Sequence, residues 1–184
     1  MGNRENIMDR WYDSDRWTKE KRNPRGAFNG TPQFPFDKLY ITPFTHERKT
    51  DEYGNSLYLP IEGRNFTPTG VEVMDDYIRH MQRGESNIRA FCKRYNARVA
   101  DIDSLVFLLT GMSNQRFRAA WQVRTADLLL RYTDMKLNEI ARRSGMGTRN
   151  NMYFIYEREL NSSAKERRDA IRKNGDLGRF IIKE

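Results

Sequence analysis

Four polar residues in the C-terminal part of the chain could recognise the edges of nucleic-acid bases. They are Thr148, Arg149, Asn150 and Tyr153, which lie close together in sequence. An arginine can donate a forked pair of hydrogen bonds to guanine, and an asparagine can make a comparable pair with adenine. Each good pair contributes about 1–3 kcal/mol of base discrimination. At the start of a recognition helix, these residues would form a small base-reading surface.

Basic side chains stand near this set, where the phosphates of a bound duplex would run. Lys136, Arg142 and Arg143 precede it, and Arg98 begins an earlier helical stretch. Basic residues beside a base-reading helix commonly contact the nucleic-acid backbone and set its register. We expect these four side chains to bind phosphate.

The positive charge is concentrated in the same part of the chain. The net charge of the protein is +8. From Ile78 to the end there are 22 Lys and Arg against 12 Asp and Glu, a net of +10, whereas residues 1–77 carry 11 against 13, a net of −2. A basic excess confined to one part is what a module that binds a polyanion shows. It also occurs in proteins that bind nothing acidic.

A helix-turn-helix over Leu137–Leu160 would position the base-reading set. Two helices that cross steeply through a short turn need a small residue at the crossing, here Ala141. They also need a residue that tolerates positive φ in the turn, here Gly145. Thr148 can cap the second helix. The residues expected in the core are Leu137, Ile140, Ala141, Met146, Met152, Ile155 and Tyr156.

The chain around this motif reads as successive helices, since no proline occurs after residue 68. Apolar periodicity predicts helices near 71–82, 87–95, 99–109, 114–132, 136–143, 149–160 and 163–173. The N-cap candidates are Ser86, Ser113 and Asp134. The helices are expected to stop at Gly84, Gly111 and Gly145.

The first 70 residues predict an irregular arm, because they hold all six prolines of the chain. Stretches 38–44 and 56–62 partly alternate apolar and polar residues around the turn signal YGNS, which predicts a β-hairpin. Ile7, Met8, Trp11 and Tyr12 fall on one face of a short candidate helix. The arm either docks on a partner or covers the helical domain. We divide the chain into this arm (1–70), a helical domain (71–174) and a tail (175–184).

The segment VRTADLLLRYTDMKLNEIARRSGMGTRNNMYFIYEREL resembles the AraC/XylS family of transcription regulators. In that family a helix reading R-x-x-x-A-x-x-LL-x-x-T/S-D leads into I-x-E-IA-x-x-x-G-F, and here Gln122 takes the place of the opening arginine. The residues in register are Ala126, Leu129, Leu130, Thr133, Asp134, Leu137, Glu139, Ile140, Ala141 and Gly145. A poorer first copy places Ile88, Phe91 and Cys92 at core positions and Asn96 at the turn. The resemblance covers about residues 86–172.

The resemblance implies a mainly α fold in which two helix-turn-helix units are joined by a long central helix near 114–132. The family's usual task is sequence-specific control of transcription on double-stranded DNA, by units about 34 Å apart on one face of the duplex. The arm is too short for the family's usual sensor domain, so we expect no small-molecule effector site. The first unit departs from the pattern with Asp101 and Asp103. It is expected to be mainly structural or a protein-contact surface.

The leading hypothesis is a cytoplasmic bacterial transcription regulator that uses the second helix-turn-helix as its main reading head. The alternative is a non-enzymatic structural or interaction protein of phage or mobile-element type, which the acidic first recognition helix, Phe154 and the aromatic N-terminal arm favour. RNA binding ranks third, since no stacked-aromatic RNA motif is visible. Further partners would be RNA polymerase or another protein, reached through the arm or the first unit, and a second copy in a homodimer.

Other classes of function lack their residues. His46, His80 and the single Cys92 do not have the spacing of a metal site, and Cys92 fits a buried position on a helix. No nucleophile–base pair stands at a useful spacing, so we expect no enzyme, no catalytic residues and no cofactor. No apolar run is long enough for a membrane helix. The start of the chain lacks the apolar stretch of a signal peptide.

Overall fold

The computed structural model describes residues 31–62, 66–172 and 177–183. The predicted helical face of Ile7, Met8, Trp11 and Tyr12 lies outside these ranges. The helices in chain order are α1 (Phe36–Leu39), α2 (Glu72–Gln82), α3 (Ile88–Arg94), α4 (Val99–Thr110), α5 (Asn114–Tyr132), α6 (Leu137–Arg143), α7 (Arg149–Leu160) and α8 (Ala164–Arg172). The strands are β1 (His46–Thr50), β2 (Ser56–Pro60) and β3 (Phe180–Ile181). None of the helices in the described ranges is long and apolar enough to cross a membrane.

Helix α5 is the axis of the fold and contributes to two separate cores. It has 19 residues and is therefore about 28 Å long. Its N-terminal part buries Phe117 and Trp121 among α2, α3 and α4, whereas its C-terminal part buries Leu129 and Leu130 among α6, α7 and α8. Each core belongs to one helix-turn-helix. The predicted fold class, two such units joined by a long central helix, is confirmed.

The two units repeat the same local geometry. Asn96 lies in the turn between α3 and α4 with φ 49°, and Gly145 lies in the turn between α6 and α7 with φ 75°. The second helices of the two units, α4 and α7, also end alike, at Gly111 with φ 71° and at Asn161 with φ 49°. Asparagine is among the few residues other than glycine that tolerate this backbone region. The predicted place of Asn96 at the first turn is confirmed.

The helix termini confirm two of the four predicted N-caps and correct the other two. Ser113 and Thr148 cap α5 and α7 by accepting hydrogen bonds from the backbone three residues on. Ser86 is wrong as the cap of α3, because Asn87 holds that place and accepts from the Ala90 N–H. Asp134 is also wrong, because α6 begins later, after Lys136, whose side chain makes no cap bond. Asp134 instead pairs with Arg172 across 3.2 Å.

The segment before β1 packs into both cores and is not the predicted strand. Residues 36–39 form a helical turn, and Phe36 contacts Phe117 in the first core with ring centroids 5.5 Å apart. Further along, Phe44 lies in the second core against Tyr132, at 5.8 Å. The prediction of a strand over 38–44 is therefore wrong. Its apolar residues alternate because they anchor a segment along α5, not because they face one side of a sheet.

A three-stranded sheet of order β2-β1-β3 covers one end of the second core. Strand β1 pairs antiparallel with β2, Arg48 opposite Tyr58, and on its other edge with β3, Glu47 opposite Phe180. The predicted second strand is confirmed, but its partner is the polar segment HERKT. Strand β3 comes from the tail, for which no strand was expected. Phe180 packs on Phe44 and Tyr132, so it extends the second core.

His80, near the end of α2, is a buried histidine beside a carboxylate. Its ring is 3% exposed, and Nδ1 lies 2.7 Å from the Glu85 carboxylate. Burial lowers the pKa of His80 below 6.5, and Arg94 and Arg83 act in the same direction, although Glu85 opposes them. With Nδ1–H donating to Glu85, a second proton would sit on Nε2, which is buried without a hydrogen-bond partner among the described residues.

We expect the protein to lose stability as the pH falls through about 6.5, because the unfolded chain then takes up a proton that folded His80 refuses. Above that pH both states are neutral at this side chain, and its contribution is fully present. The check is the urea midpoint between about pH 7.5 and pH 5 for the wild type and for His80→Gln. The variant should show a shallower pH dependence. An unchanged slope would assign the effect to other groups.

Candidate nucleic-acid interface

The turn between α6 and α7 fixes the direction of α7. The Gly147 N–H donates to the Ala141 carbonyl at 2.8 Å, and the Asn151 side-chain amide donates to the Met146 carbonyl at the same distance. Met146 itself is buried, as predicted. A further tie comes from α5, where Gln122 Nε2 donates to the Gly145 carbonyl at 2.7 Å. The turn is therefore held from both of its helices and from the central helix.

The predicted core of the motif is confirmed. Ile140, Ala141, Met152, Ile155 and Tyr156 are all buried, and Leu137 is half-buried against them. The small side chain of Ala141 lies where α6 and α7 cross. Burying these positions leaves the opposite face of α7 in solvent.

The predicted base-reading residues occupy that outer face. Thr148, Arg149 and Asn150 are exposed at the N-terminal end of α7, and Tyr153 is 52% exposed one turn later. Thr148 combines exposure with its capping bond, because its hydroxyl accepts from the Asn151 N–H at 3.1 Å. The structure thus brings the four residues to one end of one helix. Contact between these four residues and DNA stays a prediction.

A cleft between α6 and the start of α7 gathers positive charge. Its lining is Lys136, Asn138, Glu139, Arg142, Gly147, Thr148 and Arg149. The one carboxylate of this lining, Glu139, is paired with Arg143 at 3.1 Å. Among the described residues no acidic partner is seen for Lys136, Arg142 or Arg149. The cleft therefore presents three cations to an incoming polyanion, a field that favours association with phosphate.

The four predicted phosphate ligands are not equivalent. Lys136 and Arg142 are exposed and line the cleft. Arg143 is half-buried and already bound to Glu139. Arg98 lies in the first unit, where its guanidinium pairs with Asp101 at 2.9 Å and lowers the pKa of that carboxyl. Phosphate contact by any of them stays a prediction, and Lys136 and Arg142 have the better geometry for it.

The first unit presents a different surface. Helix α4 contains neither lysine nor arginine. Leu108 on it is 67% exposed and Val99 is 40% exposed. Asp103, which counted as a DNA-repelling charge, is half-buried and accepts from the Asn114 backbone N–H at 3.3 Å. One of the two acidic groups therefore serves the junction between α4 and α5, although the outer surface of α4 remains poor in positive charge.

Two residues of the site were not found from the sequence. Asn138 lines the cleft from the first turn of α6, and its place between the apolar Leu137 and Ile140 was the signal for an outward side chain. Gln122 was noted only as a departure from the family pattern. Its bond to the turn depends on the crossing of α5 with α6, which no local pattern reveals.

Within the described residues no group of three or more His, Cys, Asp or Glu side chains could hold a metal ion. Cys92 is buried, as predicted, and burial raises the pKa of its thiol. A buried cysteine with a raised pKa is a poor nucleophile.

No family model matches the chain, and no curated protein matches it. Among solved structures, it is similar to the DNA-binding domain of AdpA, a global transcriptional factor, in complex with a target DNA. That match is 24% identical with a TM-score of 0.47 and covers 56% of this chain and 93% of that chain. It is also similar to the C-terminal domain of AraT, a response regulator from Geobacillus stearothermophilus. This second match is 17% identical with a TM-score of 0.46 and covers 56% of this chain and 88% of that chain.

Proposed function

We propose that this chain is a sequence-specific double-stranded DNA-binding transcription regulator whose main reading head is the α6–α7 unit. The observation that carries the proposal is the cleft in which Lys136, Arg142 and Arg149 meet while its only carboxylate, Glu139, is bound by Arg143. The cleft lies at the N-terminal end of α7, where a recognition helix enters the major groove. Cations beside that point of entry would bind the phosphates of the two DNA strands.

Base reading in this proposal belongs to Arg149 and Asn150. Both side chains are exposed at the start of α7, and Arg149 has no ion-pair partner among the described residues. Arginine favours guanine and asparagine favours adenine through paired hydrogen bonds in the major groove. Thr148 and Tyr153 flank them on the same helix. The supporting helix α6 would then lie along the backbone, with Lys136 and Arg142 toward phosphate.

The remaining partners follow from this role as predictions. Because the cationic cleft belongs to the α6–α7 unit and α4 contains no lysine or arginine, we expect a second copy of the chain or a second protein to strengthen binding to the same DNA. Contact with RNA polymerase, homodimerisation, a cytoplasmic location and the absence of an enzymatic activity all stay predictions. The exposed apolar residues Val99 and Leu108 on α4 make the first unit the better surface for a protein contact.

We expect the protein to bind a duplex selected from random DNA, with an affinity that falls steeply between about 50 mM and about 200 mM salt because phosphate contacts release counterions. Arg149→Ala should weaken the selected duplex about 5- to 150-fold and relax the preference for one base pair, the equivalent of about 1–3 kcal/mol. Lys136→Ala should weaken all duplexes alike and reduce the log–log salt slope by about 0.9. The measurement is fluorescence anisotropy over a salt series.

Lys49→Ala is the matched control, because Lys49 is 62% exposed on β1 and its loss removes a charge from the sheet rather than from the cleft. Lys49→Ala should bind the selected duplex nearly as tightly as the wild type does. Absence of binding at low salt, with Arg149→Ala changing nothing, would instead support the non-enzymatic interaction protein.

A further inference from the structure

Two large aromatic side chains lie side by side in solvent on the recognition helix α7. Tyr153 is 52% exposed and Phe154 is 67% exposed. Their rings meet edge to face, with centroids 5.7 Å apart and planes at 74°. Isolated exposed apolar residues are ordinary on a protein surface. A preorganised pair on the helix that carries the base-reading residues is a candidate binding surface.

Helical geometry places this pair on the base-reading face. Successive residues of an α-helix are rotated by about 100°, so the buried residues Met152, Ile155 and Tyr156 define the inner face of α7. Asn150 and Phe154 then project from the opposite side, one turn apart, and Tyr153 lies beside them. Phe154 is therefore about 6 Å along the helix from Asn150. If Asn150 contacts a base edge, Phe154 would lie further along the same groove.

The charged residues near the aromatic pair favour a position over the bases in a groove rather than beside the phosphates. Glu157 is exposed and lies on the same side of α7, one turn after Tyr153. A carboxylate is repelled by phosphate but can accept a hydrogen bond from the amino group of cytosine. The cations of the cleft, Lys136, Arg142 and Arg149, are at the other end of the unit. Arg158, one turn after Phe154, pairs with Glu159 at 2.6 Å. The aromatic pair is thus placed over bases and away from the backbone contacts.

The apolar feature that base edges offer in the major groove is a methyl group on C5 of a pyrimidine. Thymine carries this methyl, and 5-methylcytosine carries the same group. An exposed phenyl ring and a tyrosine ring gain free energy by removing a methyl group and themselves from water. Neither ring can supply the directed hydrogen bonds that distinguish guanine from adenine, apart from the Tyr153 hydroxyl.

We propose that Tyr153 and Phe154 select DNA sites by contacting pyrimidine C5-methyl groups beside the bases read by Arg149 and Asn150. This inference rests on the proposed function of the α6–α7 unit and adds the chemistry of its target. The preferred site then contains a methyl-bearing pyrimidine, thymine in unmodified DNA, next to the base pairs that arginine and asparagine recognise.

The test removes the methyl group without changing base pairing. Each thymine of the selected duplex is replaced singly by uracil, and Kd is measured for the wild type, Phe154→Ala and Tyr153→Phe. At one or two positions uracil should weaken wild-type binding about fourfold, which corresponds to about 0.8 kcal/mol for one buried methyl-sized group. The loss at such a position should vanish in Phe154→Ala and persist in Tyr153→Phe, which keeps the ring.

A second arm distinguishes the sources of the methyl group. Each cytosine is replaced singly by 5-methylcytosine. A gain at a cytosine, without a loss at any uracil, would identify 5-methylcytosine as the target, whereas losses at uracil identify thymine. Both results support methyl reading. Leu108→Ala is the matched control, since Leu108 on α4 is also 67% exposed, and it should leave the uracil effect intact.

Two outcomes overturn the inference and can be told apart. Equal binding of all uracil and methylcytosine duplexes, with Arg149→Ala still weakening the complex, would leave the DNA-binding function standing and assign the aromatic pair to a protein contact. No duplex bound at low salt would remove the proposed function and the inference together. Because both side chains lie in solvent, unchanged thermal unfolding of Phe154→Ala shows that the variant is folded.

Discussion

Replacing Asp127 by alanine is expected to lower the free energy of unfolding by about 3–5 kcal/mol. Asp127 lies on α5 and is 1% exposed. One carboxylate oxygen accepts from Arg167 Nη2 at 2.7 Å and Nε at 3.0 Å, and the other accepts from the Tyr156 hydroxyl at 2.8 Å. Burial raises the pKa of the Asp127 carboxyl, and the Arg167 guanidinium opposes that shift. Without the carboxylate, the Arg167 guanidinium, whose side chain is only 11% exposed, loses the ion pair and the two hydrogen bonds that Asp127 supplies.

The measurement is unfolding in urea, with the midpoint and the slope fitted together. Asp37→Ala is the control, because Asp37 also pairs with an arginine, Arg124, but is 62% exposed. Exposed pairs of this kind contribute about 1 kcal/mol or less. A loss for Asp127→Ala no larger than that of the control would show that the network does not hold α7 and α8 against α5.

Replacing Gly84 by alanine is expected to strain the contact between the α2–α3 loop and the end of α6. A Cβ at this position would lie 2.8 Å from the backbone oxygens of both Arg142 and Arg143, and the φ of Gly84 is +72°. An L-residue in that backbone region costs about 1–2 kcal/mol, and forced overpacking adds about 1–3 kcal/mol. Since backbone oxygens at a helix end cannot rotate away, α6 must shift. Gly84→Ala should therefore lower both stability and DNA affinity.

The variant Gly70→Ala separates the free-energy cost of the backbone conformation from that of overpacking. Gly70 has nearly the same φ, +78°, but a Cβ added there would meet no atom within 4 Å beyond its chain neighbours. It should show the backbone cost alone and keep the affinity of the wild type. Urea unfolding and fluorescence anisotropy on the selected duplex measure both quantities for the two variants. Equal effects of the two substitutions would mean that the α2–α3 loop does not position the reading head.

Local signals explain which elements were predictable. Helices α2 to α8 follow apolar periodicity that their own residues carry, and each bound agrees with the predicted one or differs from it by one position, within the ordinary scatter of helix ends. The caps Ser113 and Thr148 succeeded because a cap acts on the backbone two or three residues away. The prediction of Ser86 was wrong because the adjacent Asn87 is an equally good cap. Which of the two residues caps α3 depends on where the chain enters the core.

The segments before and after the helical domain were poorly predicted, because their partners are distant in sequence. Strand β1 is polar and acquires its structure by pairing with β2 on one edge and with β3, more than 130 residues later, on the other. Residues 38–44 look like a strand, but their apolar side chains fill two cores made by α5. The division into arm, helical domain and tail stays a prediction.

The sequence by itself determined the helix-turn-helix of Leu137–Leu160, its buried residues and the exposure of Arg149 and Asn150, because helical period and turn chemistry act over a few residues. The ion pairs Arg143–Glu139 and Arg98–Asp101 are local, at spacings of four and three residues. Only the tertiary structure decided that Lys136, Arg142 and Arg149 meet in one cleft. It also decided that Asp127 binds Arg167 and that Gly84 touches the end of α6. These contacts join residues far apart in the chain, and packing of the helices, which no local pattern encodes, brings them together.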